Sequence, residues 1–102
     1  SVKLSSLQRK HLESLANSLE PIIRIGKQGL EANIVLSLNE AFNKHELIKI
    51  KILDTAPVEA RDVSELAIEE TGAILVRIIG RTIVLYKPFE DKPKKIELPK
   101  NK

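Results

Sequence analysis

The sequence predicts a single α+β domain in which one mixed four-stranded sheet is packed with helices. Helical periodicity and strand alternation succeed one another in the order helix, strand, helix, strand, helix, strand, strand. A chain of 102 residues has room for one core and no second domain. Phe42, Tyr86 and Phe89 are the only aromatic residues and Cys is absent, so Leu, Ile and Val must fill that core without a disulfide or a cysteine-bound zinc.

Ser5 or Ser6 can cap a first helix in which Leu7, Leu12, Leu15, Ala16 and Leu19 recur at helical spacing, with Arg9, Lys10 and Glu13 on the other side. Pro21 ends that pattern, and the β-branched run over residues 21–25 reads as a strand stopped by Gly26. A second helix is expected from about Leu30, buried through Ile34, Val35, Leu38, Ala41 and Phe42 and fading near Lys44 and His45. Residues 47–53 alternate with period two, as a strand with one buried face should. Pro57 suits the first turn of a third helix, Glu59 and Asp62 favour its positive end, and Gly72 is its stop. Two further strands, residues 73–79 and 82–86, are joined by Gly80-Arg81, a two-residue loop that fits a type II′ hairpin. Strict alternation puts Ile74, Val76, Ile78, Ile83 and Leu85 on one face and Leu75, Arg77, Ile79, Thr82, Val84 and Tyr86 on the other, which is apolar enough to need a partial cover. Residues 1–87 read as the domain and residues 88–102, rich in Lys and Pro, as a C-terminal tail.

The formal charge of +3 is uninformative as a sum, since twelve basic and eleven acidic side chains precede Pro88. Its distribution is informative. Residues 21–29, 47–53 and 73–87 carry Arg24, Lys27, Lys49, Lys51, Arg77, Arg81 and Lys87 and no Asp or Glu. A body that segregates charge in this way presents a basic surface in one direction, the footprint of a phosphate-binding protein, and the expected partner is RNA. Lys49 and Lys51 project from one strand face about 7 Å apart, a spacing that serves either successive phosphates or a solvated, aggregation-resistant edge. Arg24 and Arg77, expected on neighbouring strand segments, favour the binding surface, whereas Arg81 at a hairpin tip reads equally as a solubilising residue. The loop Gly26-Lys27-Gln28-Gly29 between strand and helix can be a tight turn or a backbone clamp of the GxxG kind used by KH modules, with amides and the helix N-terminus on a phosphate oxygen. It is not a Walker loop, because the upstream glycine and the following Ser or Thr are missing.

His11 and His45 have no second ligand at metal spacing, no serine sits in a nucleophile elbow, and the acids Glu59 to Glu70 populate one solvated helix side. No enzyme activity, cofactor, metal or small-molecule substrate is expected. No run is apolar enough to span a bilayer and no signal-peptide pattern opens the sequence, so a cytoplasmic protein without a membrane partner is expected.

The strings IIRIGKQGL, KHELIKIKIL and EETGAILVRIIGRTIVLYKP, in this order and spacing, resemble the CRM domain, the chloroplast RNA splicing and ribosome maturation module, and in particular its free-standing bacterial YhbY type. The resemblance covers roughly residues 4–99. It implies an α-β-α-β-α-β-β fold similar to the C-terminal domain of translation initiation factor three, RNA binding, and association with precursors of the large ribosomal subunit. It puts the RNA-contacting loop on Gly26, Lys27, Gln28 and Gly29 and the basic surface on Lys49, Lys51, Arg77 and Arg81. One departure is Glu31, where many relatives carry a helix-capping Ser or Thr; a carboxylate there would favour the helix start and repel a phosphate.

The expectation is therefore an RNA-binding protein that docks structured ribosomal RNA through the GxxG loop and the basic sheet surface and assists large-subunit assembly, with ribosomal proteins as further partners. With Tyr86 read as packed, recognition should rest on backbone and shape. Two alternatives stay open: an adaptor that rides on ribosomal particles through an apolar patch around Leu75, Ile79 and Val84, and a non-specific RNA chaperone.

Overall fold

A computed structural model describes residues 3–100. In it the chain forms α1 (Ser6–Ala16), β1 (Ile23–Ile25), α2 (Ile34–Lys44), β2 (Leu47–Ile52), α3 (Ala60–Thr71), β3 (Ile74–Ile79) and β4 (Thr82–Tyr86). The strands pair in the order β1-β2-β4-β3, the first pair parallel and the others antiparallel. The predicted α+β class and element order are those observed.

Local chemistry sets the boundaries. Ser5 is the cap of α1: its hydroxyl accepts from the Gln8 amide at 3.1 Å, and the Gln8 side chain accepts from the Ser5 amide at 3.2 Å, a reciprocal capping box. Gly72 ends α3 in the left-handed region at φ 76°, which costs a glycine nothing. In the Gly80-Arg81 loop only Gly80 has positive φ, 60°, as a type II′ turn requires. Two starts differ from expectation. Helix α2 begins at Ile34 rather than near Leu30, because residues 31–34 form a tight turn in which the Ile34 amide donates to the Glu31 carbonyl. Helix α3 begins at Ala60 with Glu59 as its cap residue, leaving Pro57 in the preceding turn.

The sheet is covered on both faces. Helices α2 and α3 bury Leu38, Phe42, Val63 and Ala67 against Ile25, Ile48, Ile50, Ile52, Ile83 and Leu85. On the other face α1 presses Leu12 and Ala16 onto Leu47, Val76, Val84 and Tyr86, with Ile96 and Leu98 at the margin. The cover that the sequence required but did not name is thus α1, aided by the C-terminal segment. Only two positions of α1 are buried, so Leu7, Leu15 and Leu19, expected in its core stripe, remain exposed.

Strict alternation fails in β3. Ile74 pairs with Tyr86 and Leu75 with Leu85, but the next partner of β4, Val84, meets Arg77, leaving Val76 as an extra residue. This β-bulge turns Ile74 and Val76 toward α1 and sends Leu75 to the opposite core, reversing the faces predicted for these three residues. The carbonyls freed at the bulge are not orphaned: the Arg9 guanidinium donates to Leu75 O at 2.8 Å and also to Val76 O. Arg9 and Glu13 therefore face the sheet edge instead of solvent, contrary to the helical-wheel expectation.

Residues 88–100 contain no helix or strand, yet they pack on the domain. Phe89 is buried, and the buried Glu46 carboxylate accepts from the backbone amides of Phe89 at 2.9 Å and of Lys95 and Ile96 at 2.8 Å each. The Gln8 side chain adds a bond to the Pro99 carbonyl at 3.1 Å. Burial, and next the nearby Glu46 charge, raise the Tyr86 hydroxyl above its ordinary pKa of 10.0.

Two outcomes follow. Glu46→Ala removes the acceptor shared by three amides, and limited proteolysis should then cut within residues 88–100 while thermal unfolding reports a loss of about 1–3 kcal/mol. For Tyr86 the folded-state pKa lies above the unfolded one, so its contribution is intact below pH 10 and is lost as pH rises through the folded value. Tyr86→Phe should flatten the alkaline decline in stability relative to wild type, measured by urea unfolding above pH 10.

Candidate nucleic-acid interface

Helix α1 covers only part of its sheet face. The register leaves one row across the strands open: Arg24 of β1 opposite Lys51 of β2, Lys51 opposite Thr82 of β4, and Thr82 opposite Ile79 of β3. The next row holds Lys49 opposite Val84, and Val84 opposite Arg77; Val84 is already under α1. Arg24 and Lys51 are exposed, and Lys49 is half-buried with its ammonium on the Leu19 carbonyl at 3.1 Å. Among the described residues no carboxylate lies at ion-pair distance from Arg24, Lys27, Lys49 or Lys51. The charges of these four cations are thus not neutralised by a neighbouring carboxylate, although Lys49 is engaged by the Leu19 carbonyl.

The two remaining arginines are engaged. Arg77 binds Glu13 of α1 at 2.8 Å, and Arg81 lies 3.6 Å from Asp54 while donating to the Leu53 carbonyl at 3.3 Å. Arg24 and Arg77 are not on neighbouring strands: the sheet order puts them on the two outer strands, about 14 Å apart by strand spacing. The basic surface is accordingly concentrated on β1 and β2. Arg81 is nearer to this end than Arg77, since its carbonyl accepts from the Ile52 amide directly after Lys51.

Residues 26–29 form a turn closed by the Gly29 amide on the Gly26 carbonyl at 2.9 Å. Lys27 and Gln28 are exposed at its tip, and their amides make no backbone hydrogen bond among the described residues. The glycines differ in purpose. Gly29 is buried at φ 69°, and a Cβ there would stand 3.1 Å from Pro57 Cγ, so it lets the turn dock on the segment before α3. Gly26 has no positive φ, and its Cβ would meet a Leu53 methyl at an ordinary 3.4 Å. A shallow concavity of about 160 Å³ lies behind the turn, lined by Arg24, Ile25, residues 26–29, Glu31 and Ile34. The N-terminus of α2 is five residues beyond Gly29, so it does not share an anion site with the turn as the sequence suggested, and Glu31 lines the concavity rather than the helix start.

Tyr86, Phe42 and Phe89 are all buried, which leaves no aromatic stacking platform. Val84 is buried under α1 and Leu75 belongs to the opposite core, so the apolar patch of Leu75, Ile79 and Val84 does not exist as a surface. Among the described residues no cluster of His, Asp and Glu could hold a metal, and no helix is long and apolar enough to cross a membrane.

The molecule is a small α+β domain whose sheet leaves open a row with two unpaired cations beside an exposed glycine turn. The chain belongs to the CRS1/YhbY (CRM) domain family, whose model matches residues 4–87. It is 38% identical over 96 residues to YqeI of Bacillus subtilis, named a probable RNA-binding protein, covering 94% of this chain and 99% of that one. It is 35% identical to an RNA-binding protein of Haemophilus influenzae, over 95% of this chain and 96% of that one. The solution structure of SAV1595 from Staphylococcus aureus, described as a candidate RNA-binding protein, superposes with a TM-score of 0.75 at 34% identity, over 95% of this chain and all (100%) of that one.

The asymmetry of the glycines is measurable. Gly29→Ala should lower stability by about 1–2 kcal/mol in urea unfolding, from its left-handed backbone and the contact with Pro57. Gly26→Ala should change it by less than about 0.5 kcal/mol.

Proposed function

We propose that this protein binds RNA without catalytic turnover, docking structured ribosomal RNA through residues 26–29 and the row Arg24, Lys51 and Lys49, and that it assists assembly of the large ribosomal subunit in the cytoplasm. The observation that carries this reading is the register of Arg24 with Lys51, two cations without carboxylate partners on a sheet face that α1 leaves open. Lys27 and the free amides of the turn extend the same field toward a phosphate oxygen. The names of the relatives support RNA as ligand, and the resemblance to free-standing bacterial members supports the ribosomal target. Arg77 and Arg81 belong to the margin of the surface, where a phosphate would have to displace Glu13 or Asp54. The contacts proposed here lie within residues 1–87, while residues 88–100 pack on the domain away from this row. Ribosomal proteins are further partners rather than the primary ligand, since Leu75 and Val84 of the apolar patch an adaptor would use are drawn into the two cores.

Four unpaired cations predict that log affinity for single-stranded RNA falls with log salt at a slope of about −3, steepening toward about −4 if Arg77 and Arg81 are recruited. Lys27→Ala should weaken binding to all RNA sequences alike and leave the thermal midpoint unchanged. A slope near zero would exclude phosphate contacts. In cells, crosslinking should concentrate reads on one region of large-subunit ribosomal RNA and lose them when Lys27, Lys49 and Lys51 are neutralised together; reads scattered over unrelated RNAs would indicate a chaperone instead.

A further inference from the structure

The open row does not end in charge. From Lys51 it continues through the Thr82 hydroxyl to Ile79, whose side chain is 51% exposed at the end of edge strand β3. A singly exposed isoleucine is ordinary on a protein surface; what distinguishes this one is that it shares a row and a face with the two unpaired cations. Lys51 and Ile79 are two strand spacings apart, about 10 Å, comparable to the span of one nucleotide from phosphate to base. Along one side α1 stands on the neighbouring rows with a body about 10 Å across, so the row is a shelf with a wall.

We infer that this shelf takes one unpaired nucleotide of a single-stranded RNA segment, with its phosphate at Lys51 and Arg24, its ribose hydroxyl at Thr82 and the face of its base on Ile79. The inference rests on the RNA-binding reading and specifies which part of the RNA enters the site. In a duplex the base faces are stacked inside and only phosphates and groove edges are presented, so a helix could satisfy the cations but not Ile79. With every aromatic side chain buried, Ile79 is the apolar surface that the shelf offers a base. An aliphatic contact of this kind carries no hydrogen-bond code and accepts any base.

The test compares three ligands by fluorescence anisotropy with the full chain: a short single-stranded oligoadenylate, the same oligomer annealed to oligouridylate, and a ribose-phosphate oligomer of equal length lacking bases. Wild type should bind the single strand tightest. Ile79→Ser should weaken single-strand binding about fivefold, no more than the low end of what stacking on an aromatic side chain contributes, and leave the base-less oligomer unaffected. Ile79→Leu, which keeps the apolar surface, should bind like wild type, and Lys51→Ala should weaken all three ligands. Equal affinity of wild type for single strand and duplex, or no effect of Ile79→Ser on the single strand, would overturn the inference while salt-dependent binding kept the RNA-binding reading intact. Absence of salt-dependent binding to any of the three would overturn both.

Discussion

Incomplete coverage of one sheet face is the constraint on which the rest of the molecule depends. Strand β4 buries apolar side chains on both sides and β2 adds Leu47 to the second, so a helix layer on each side is obligatory. Helices α2 and α3 supply one layer in full. On the other side the eleven residues of α1 offer only Leu12 and Ala16 for burial, enough to shelter Leu47, Val76, Val84 and Tyr86 but not the row that follows. What lies beyond the helix is left to water, and in this sequence it is Arg24, Lys51, Thr82 and Ile79. The candidate binding surface and the limit of the core are two descriptions of the same boundary.

The position of α1 is itself fixed by polar chemistry. The Val76 bulge frees two carbonyls on β3, Arg9 takes both, and Glu13 one turn later takes Arg77. These directed bonds add orientation to a helix that buries only Leu12 and Ala16. The same contacts draw Arg77 out of the basic surface, so the placement of α1 both leaves Lys51 open and neutralises the arginine that shares the row of Lys49.

The element order, the α+β class, the Ser5 cap, the Gly72 stop and the Gly80-Arg81 turn were legible because each depends on residues close together in sequence. Lys49 and Lys51 were legible for the same reason: alternation in β2 is unbroken. The bulge was not, since Ile74, Leu75 and Val76 are all apolar and no change in residue type marks the extra position. The pairings of Arg77 with Glu13 and of Glu46 with the amides of Phe89, Lys95 and Ile96 join residues far apart in the chain, and charge runs do not reveal such partners. The expected neighbourhood of Arg24 and Arg77 failed because strand order in a mixed sheet is not strand order in the sequence. The roles of the two glycines diverged because one of them meets Pro57, a contact that only the tertiary fold creates.

Glu46 gives the molecule two different lengths. The family match stops at Lys87, where the last strand has just ended, and a fragment cut there would retain the whole basic row and the glycine turn. It would also retain a carboxylate in a pocket whose three donors had been removed, along with a flank of Tyr86 and Ile74 that Ile96 and Leu98 no longer sheltered. The stretch proposed to carry recognition and the stretch that completes the packing of the fold therefore have different C-terminal limits, and a boundary drawn from relatives alone would divide the second while preserving the first.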